Sequence, residues 1–138
     1  MICAIDASVA LSWVLQDEQS PASDGLFESV AKDGAVVPSL WRLEVANALQ
    51  IAVRRNRING AYRDGAIQKL SRLPIEVDAD TDAQAWGNTL HLADRYRITV
   101  YDAAYLELAL RHGVPLATLD QDLERAAFES GATVLPAN

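Results

Sequence analysis

Short runs of apolar residues alternate along the chain with segments that have the 3.6-residue spacing of helices. The apolar runs predict strands at residues 2–5, 35–38, 75–77, 115–118 and 133–135. The segments between them predict helices at 8–15, 20–34, 39–55, 61–73, 81–95, 101–113 and 121–130. Ser20-Pro21 supplies an N-cap and a first-turn proline for the second helix, and Ser39 can cap the third. Strands that alternate with helical crossovers are typical of a parallel sheet covered by helices on both faces. We therefore expect one α/β domain over residues 1–138, a three-layer α/β/α sandwich around a central, mainly parallel sheet.

The helix predicted at 39–55 is unusual because apolar residues lie nearly all the way round it. The apolar residues of this segment are Leu40, Trp41, Leu43, Val45, Ala46, Ala48, Leu49, Ile51, Ala52 and Val53. A helix at the surface of a globular protein normally has one apolar stripe, so this one needs cover on most sides. Either a partner subunit or bound protein supplies that cover, or the next helix of the same chain does.

The composition is that of a globular domain. The chain has 138 residues, of which 50% are hydrophobic and 22% are charged, and no apolar run has the length of a membrane span. The single cysteine, Cys3, excludes an internal disulfide and reads as a small buried residue of the first strand. The N-terminus lacks the pattern of a signal peptide, so we expect a cytoplasmic protein.

The charges are segregated along the chain. The net charge is −7, yet the window from Arg42 to Arg72 holds seven basic residues against two acidic ones. An acidic run follows at once, with carboxylates at Glu76, Asp78, Asp80 and Asp82. The negative net charge therefore does not exclude a substrate that carries phosphate.

Four acidic residues come at or near the ends of predicted strands: Asp6, Glu44, Asp102 and Asp120. The carboxyl ends of parallel strands face one edge of a sheet, so these four side chains are expected to converge there. Each acid alone has a structural explanation, as a helix N-cap or as a charge in a first helical turn. Four carboxylates in one place repel each other, and a hard divalent cation such as Mg²⁺ or Mn²⁺ relieves that repulsion.

Four blocks of sequence, in this order, resemble those of PIN-domain ribonucleases, and within that group the VapC-type toxins of toxin–antitoxin pairs. The resemblance covers essentially the whole chain, and no acidic position departs from it. The blocks are Asp6-Ala7-Ser8-Val9, Pro38-Ser39-Leu40-Trp41-Arg42-Leu43-Glu44-Val45-Ala46-Asn47-Ala48-Leu49, Tyr101-Asp102-Ala103-Ala104-Tyr105-Leu106-Glu107-Leu108-Ala109 and Leu116-Ala117-Thr118-Leu119-Asp120-Gln121-Asp122-Leu123.

The resemblance implies an endoribonuclease with a PIN-like fold and one or two Mg²⁺ or Mn²⁺ ions, leaving a 5′-phosphate and a 3′-hydroxyl. It makes Asp6, Glu44, Asp102 and Asp120 the catalytic acids, and Asp6 and Asp102 the direct metal ligands. It also implies auxiliary roles for Ser8, Asn47, Thr118 and Asp122. A helix cap at Ser8 and a β-branched strand residue at Thr118 are structural readings that can coexist with those roles.

The resemblance further implies an RNA substrate, a cognate antitoxin protein and a homodimer. Arg54, Arg55, Arg57 and Arg63 flank the Asn59-Gly60 break and are candidates for contacts with RNA phosphates. The alternative is that these arginines form a solvated helix end and favour its dipole.

Two competing functions remain to be weighed. An aspartate-based phosphotransfer domain would want a second acid where Ser8 stands and a lysine after a late strand, but the only lysines are Lys32 and Lys69. A PIN-like module that binds RNA or a protein without cutting is a second alternative. His91 and His112 fall in predicted helices away from the acidic blocks and are interpreted as partly exposed helix residues.

Overall fold

The structure, a computed structural model, describes residues 2–137, so the domain predicted over 1–138 extends one residue beyond the described part at each end. Five strands form one sheet: β1 (Ala4–Ile5), β2 (Ala35–Val37), β3 (Ile75–Val77), β4 (Leu116–Ala117) and β5 (Val134–Leu135). Their order is β3-β2-β1-β4-β5, and every pairing is parallel. The expected α/β fold is confirmed, and the sheet is parallel throughout.

Eight helices connect the strands: α1 (Ala7–Val14), α2 (Pro21–Asp33), α3 (Trp41–Arg54), α4 (Gly60–Ser71), α5 (Thr81–Ala85), α6 (Asn88–Tyr96), α7 (Val100–His112) and α8 (Gln121–Glu129). A short 3-10 helix, Gln16–Glu18, follows α1. Ser20 caps α2 as the Ser-Pro pair predicted, and its hydroxyl accepts a hydrogen bond from Ser23 N. The three central strands are fully buried, as expected for strands covered on both faces, and Cys3 is buried with them.

Two predicted helix boundaries were wrong. The segment 81–95 forms two helices, because the chain breaks at Trp86 and Gly87, where Gly87 has ψ −108°. Glycine is a poor helix former, so interrupting the helix at this position costs little free energy. Ser39 does not cap the third helix, which begins at Trp41 with Leu40 in the cap position. Instead Ser39 N donates to the hydroxyl of Thr81 at 3.1 Å.

Helix α3 is covered on one side by its own chain. Its buried residues recur about one turn apart: Trp41, Val45, Leu49 and Ala52. The first three pack into the main core, on the side of α3 that faces α1 and α4. On the other side Leu43 is 74% exposed and Ile51 is 36% exposed. The same-chain explanation therefore accounts for only part of the apolar surface of α3, and a second apolar stripe stays open.

A buried ionic cluster joins β3 to α7. Arg111 donates to both oxygens of Asp78, at 3.0 and 2.5 Å, and to both oxygens of Glu107, the shortest contact being 2.9 Å. Asp78 and Glu107 have side chains only 4% and 5% exposed. His112 Nε2 lies 3.1 Å from Asp78 Oδ1. The acidic run of the sequence is therefore not simply a solvated stretch, since one of its members is buried against a guanidinium that fixes α7 to the edge of the sheet.

None of the helices in residues 2–137 combines the length and hydropathy of a membrane-spanning segment.

Candidate active site

The strand order creates a crevice between β1 and β4. The chain proceeds from β1 through β2 to β3 on one side, and then places β4 and β5 on the other side of β1. In such a sheet the connections leave the carboxyl ends of the two central strands in opposite directions, which opens a crevice beyond those ends. Asp6 directly follows β1, and Thr118 directly follows β4. This edge of the sheet is where the candidate site lies.

Asp6 is held rigidly in the crevice. It is 5% exposed, and as the N-cap of α1 its Oδ1 accepts a hydrogen bond from Val9 N at 3.1 Å. The same oxygen accepts from the Ser8 hydroxyl at 2.6 Å, and Oδ2 accepts from the Thr118 hydroxyl. Burial raises the pKa of Asp6, and these hydrogen bonds act in the opposite direction. The cap role and a role in the site thus coexist in one side chain.

Ser8 and Thr118 tie the two loops of the crevice together through Asp6. The Ser8 hydroxyl also accepts from Leu119 N at 2.9 Å, which belongs to the loop after β4. The Thr118 hydroxyl, 3% exposed as a residue, accepts from Asp120 N at 2.9 Å. Each hydroxyl therefore donates to the Asp6 carboxylate and accepts from backbone of the β4–α8 loop. The arrangement fixes both the rotamer of Asp6 and the path of the loop that leads to Asp120.

Glu44 reaches the site from the first turn of α3. Its Oε1 accepts a hydrogen bond from the hydroxyl of Tyr105, which is 1% exposed on α7. Burial and then the bond to Glu44 raise the pKa of Tyr105, so its hydroxyl stays protonated and acts as a donor. Tyr105 was missed as a site residue in the sequence. Its position three residues after Asp102, one helical turn away, is the signal that could have identified it.

Asp102 lies in the first turn of α7 but is not its cap. Thr99 is the N-cap, and its hydroxyl accepts from Asp102 N at 3.0 Å, so the reading of Asp102 as an N-cap is wrong. The pKa of the Asp102 carboxyl is raised to about 6, first by burial and then by three neighbouring carboxylates: Asp120, Asp6 and Glu44. Each of the other three predicted acids thus acts electrostatically on Asp102.

Asp120 is exposed and caps α8, with Oδ1 accepting from Leu123 N at 2.9 Å. Asp122, two residues on, is also exposed, and Asn47 is exposed on α3 one turn after Glu44. Neither Asp122 nor Asn47 has a side-chain hydrogen bond to another residue in the part of the chain that the structure describes. The structure therefore gives these two auxiliary candidates no contact with the acids.

The donor set suits a hard divalent cation. Between Ile2 and Ala137, no three Asp, Glu, His or Cys side chains already stand in a ligating arrangement. The four acids nevertheless supply only carboxylate oxygens, which Mg²⁺ and Mn²⁺ prefer, and their mutual repulsion is what a cation would relieve. Asp6 is fixed, whereas Asp120 is exposed and Glu44 and Asp102 are half-buried.

The four candidate arginines lie away from the acids. Arg54 comes ten residues after Glu44 on α3, about 15 Å along the helix axis. Arg57 donates to both oxygens of Asp17, at 3.0 and 2.8 Å, and Arg63 donates to Asp64 and Gln50. Arg54 and Arg55 are exposed at the end of α3. The basic window of the sequence is therefore partly neutralised within the fold.

Residues 3–129 match the sequence model of the family described as PIN domain. The chain is 32% identical over 99 residues to "Ribonuclease VapC3" of Mycobacterium tuberculosis, covering 70% of this chain and 68% of that protein. It is 27% identical over 123 residues to "Ribonuclease VapC3" of Pyrobaculum aerophilum, covering 89% of this chain and 92% of that protein.

Solved structures share the fold. A crystal structure of a Pyrobaculum aerophilum protein superposes with a TM-score of 0.71 at 24% identity, over 97% of this chain and 83% of the other. A toxin–antitoxin complex from Klebsiella pneumoniae contains a chain that superposes with a TM-score of 0.64 at 14% identity, over 100% of this chain and 98% of the other.

Proposed function

This chain belongs to the PIN domain family and is homologous to VapC ribonucleases, and on that basis we propose that it is a metal-dependent endoribonuclease. The observation that supports the proposal is that the carboxylates of Asp120, Asp6 and Glu44 all raise the pKa of Asp102, and that Asp6 directly follows β1 at the crevice. A structural role explains the caps at Asp6 and Asp120, but it does not explain why Glu44 and Asp102 join them against electrostatic repulsion.

Asp6 and Asp102 would hold one or two Mg²⁺ or Mn²⁺ ions, and Glu44 and Asp120 would complete the negative field around them. When bound, such a cation activates water and stabilises the charge that develops at a phosphodiester under in-line attack. Ser8 and Thr118 keep the Asp6 carboxylate in one orientation. Tyr105 keeps Glu44 in one orientation by donating a hydrogen bond to its Oε1. No side chain has to act as a covalent nucleophile, and the expected products carry a 5′-phosphate and a 3′-hydroxyl.

The alternative is a PIN-like module that binds RNA or a partner without cutting. Incubation of the purified protein with RNA in Mn²⁺ and in EDTA separates the two functions, because a pure binder shifts the RNA on a gel without shortening it. We expect shorter RNA in Mn²⁺ and intact RNA in EDTA. Intact RNA in both conditions, with or without a shift, would contradict the nuclease.

We further propose that the protein is the toxin of a toxin–antitoxin pair. The Klebsiella pneumoniae structure that shares its fold is described as a toxin–antitoxin complex. An antitoxin that places an Arg or Lys against the carboxylates would neutralise them and keep metal out. Its action on cellular RNA would take place in the cytoplasm.

The open stripe of α3, with Leu43 and Ile51, supports a homodimer or a bound antitoxin. A shallow apolar cavity of about 240 Å³ also lies between α3 and α4, lined in part by Trp41, Val45 and Ile67. We propose that the free protein is a homodimer. Light scattering at micromolar concentration that gives a clean monomer would contradict it.

Contacts between RNA phosphates and Arg54, Arg55, Arg57 or Arg63 stay a prediction from the sequence. The pairing of Arg57 with Asp17 favours Arg54 and Arg55 as the remaining candidates. Replacing both by Glu should weaken RNA binding and flatten its salt dependence. If the variant binds RNA with the salt dependence of the wild type, these arginines do not contact RNA phosphates, and their only role is at the end of the helix.

A further inference from the structure

An aromatic side chain stands exposed in the first turn of α7, the turn that also carries Asp102. Tyr101, the second residue of α7, is 66% exposed. Its hydroxyl makes no hydrogen bond within residues 2–137. A single exposed aromatic residue is ordinary on a protein surface, so what matters here is where this one lies.

Tyr101 shares a helical stripe with the tyrosine that holds Glu44. Residues four apart on a helix lie one above the other, so Tyr101 stands one turn before Tyr105, about 6 Å nearer the open end of α7. Helical side chains lean toward the N-terminus, so the Tyr105 ring reaches toward that end, where its hydroxyl meets Glu44. The next residue after Tyr101 is Asp102. Tyr101 is therefore next to Asp102 in the chain and one turn nearer the N-terminus of α7 than the tyrosine that holds Glu44.

The surroundings favour a ligand group without charge. The cations of the proposed function would contact the reacting phosphate itself, and Arg54 lies at the far end of α3, about 15 Å from Glu44 along the helix axis. A nucleotide next to the reacting phosphate must therefore gain much of its binding energy from contacts that do not depend on charge. Stacking of an unpaired base on an aromatic ring is such a contact, and it tolerates any sequence because every base has a π-face.

We propose that the Tyr101 ring is a platform on which a nucleobase adjacent to the cleaved phosphodiester stacks. The inference rests on the proposed ribonuclease function. It makes Tyr101 a residue that touches substrate through its ring rather than through its hydroxyl.

The test compares Tyr101→Ala with Tyr101→Phe, which keeps the ring and loses the hydroxyl. Phe128→Ala is the matched control, because Phe128 is 80% exposed and lies eight residues, about 12 Å, along α8 from Asp120. Binding is measured by fluorescence anisotropy in Ca²⁺ with two probes of equal length, an unpaired RNA of mixed sequence and an abasic RNA. Cleavage of the first RNA in Mn²⁺ gives KM and kcat.

We expect Tyr101→Ala to weaken binding of the base-bearing RNA by roughly 5- to 100-fold and to raise KM with little change in kcat. Its binding of the abasic RNA should equal that of the wild type, and Tyr101→Phe and Phe128→Ala should behave as wild type with both probes. Wild-type affinity in Tyr101→Ala overturns the proposal. So does an equal loss in Tyr101→Phe, which would indicate a hydroxyl contact, or an equal loss on the abasic RNA.

Failure of the proposed function has a different signature. If the wild type neither binds nor cuts the RNA, the ribonuclease proposal falls and the stacking platform falls with it. If all variants cut the RNA with the same KM, only the platform is rejected.

Discussion

Asp102→Asn is expected to lower the rate of RNA cleavage by orders of magnitude without disturbing the fold. The substitution keeps the shape of the side chain and removes one carboxylate ligand from the field that holds the cation. The helix start is preserved, because Thr99 and not Asp102 caps α7 and its hydroxyl accepts from the backbone N of residue 102. A loss of activity in this variant therefore reports on the carboxylate itself.

The same variant should be at least as stable as the wild type in EDTA at neutral pH. The pKa of Asp102 is raised to about 6, so the native state favours its protonated form. The stabilisation that follows is complete below about pH 4 and is lost as the pH rises through 6. Asparagine carries no charge and does not suffer this loss, so the free energy of unfolding in EDTA should rise. The gain is on the order of 1 kcal/mol, because Asp102 is half-buried and solvent screens the repulsion.

Thermal unfolding in EDTA and in Mn²⁺, alongside the cleavage assay, measures these effects. Asp94→Asn is the control, since Asp94 is exposed on α6. If Asp102 is a metal ligand, Asp102→Asn should have a Tm in EDTA equal to or above that of the wild type, and a smaller rise in Tm on addition of Mn²⁺. Asp94→Asn should show neither change. A mutant that cuts RNA at the wild-type rate and gains the full Mn²⁺ stabilisation would remove Asp102 from the site.

Arg111→Met should destabilise the protein by about 3 kcal/mol, because it leaves two buried carboxylates without their partner. In a domain of this size that corresponds to a fall in Tm of roughly 10 °C. Arg125→Met is the matched control. The Arg125–Glu129 pair is 3.6 Å apart with both side chains about half exposed, and such surface pairs contribute about 1 kcal/mol or less.

The effect of Arg111→Met should depend on pH in a defined direction. Hydrogen bonds from Arg111 hold the pKa of Asp78 down to about 2, against an ordinary value of 3.8. The stability that this pair contributes is present above about pH 4 and is lost as the pH falls toward 2. Urea unfolding of both proteins should therefore show a difference that narrows below pH 4. A constant difference down to pH 2 would mean that Arg111 acts through packing rather than charge.

The fold could be predicted from the sequence because its signals are local. Short buried strands, and helices with capping residues such as Ser20, can be recognised from residues that are consecutive in the chain. The break at Gly87 was missed because glycine is often tolerated inside helices, and only the tertiary packing decides. The role of Arg111 was missed because its partner Asp78 lies 33 residues away in the chain.

The acids of the candidate site could be predicted because they follow strands, and the ends of parallel strands meet by topology. The contacts that orient them could not be predicted in the same way. The bonds from Thr118 to Asp6 and from Tyr105 to Glu44 join residues 112 and 61 positions apart. Both hydrogen bonds depend on how α7 and β4 pack against β1, and the spacing of residues along the chain does not indicate that packing.

The central claim is that the acids of this crevice cut RNA, and sequencing the new 5′ ends of total RNA after brief exposure to the protein in Mn²⁺ tests it most directly. We predict discrete new ends that carry a 5′-phosphate, absent in EDTA and absent when Asp6→Asn replaces the wild type. The same ends with Asp6→Asn, or no new ends with the wild-type protein, would contradict a carboxylate-dependent ribonuclease.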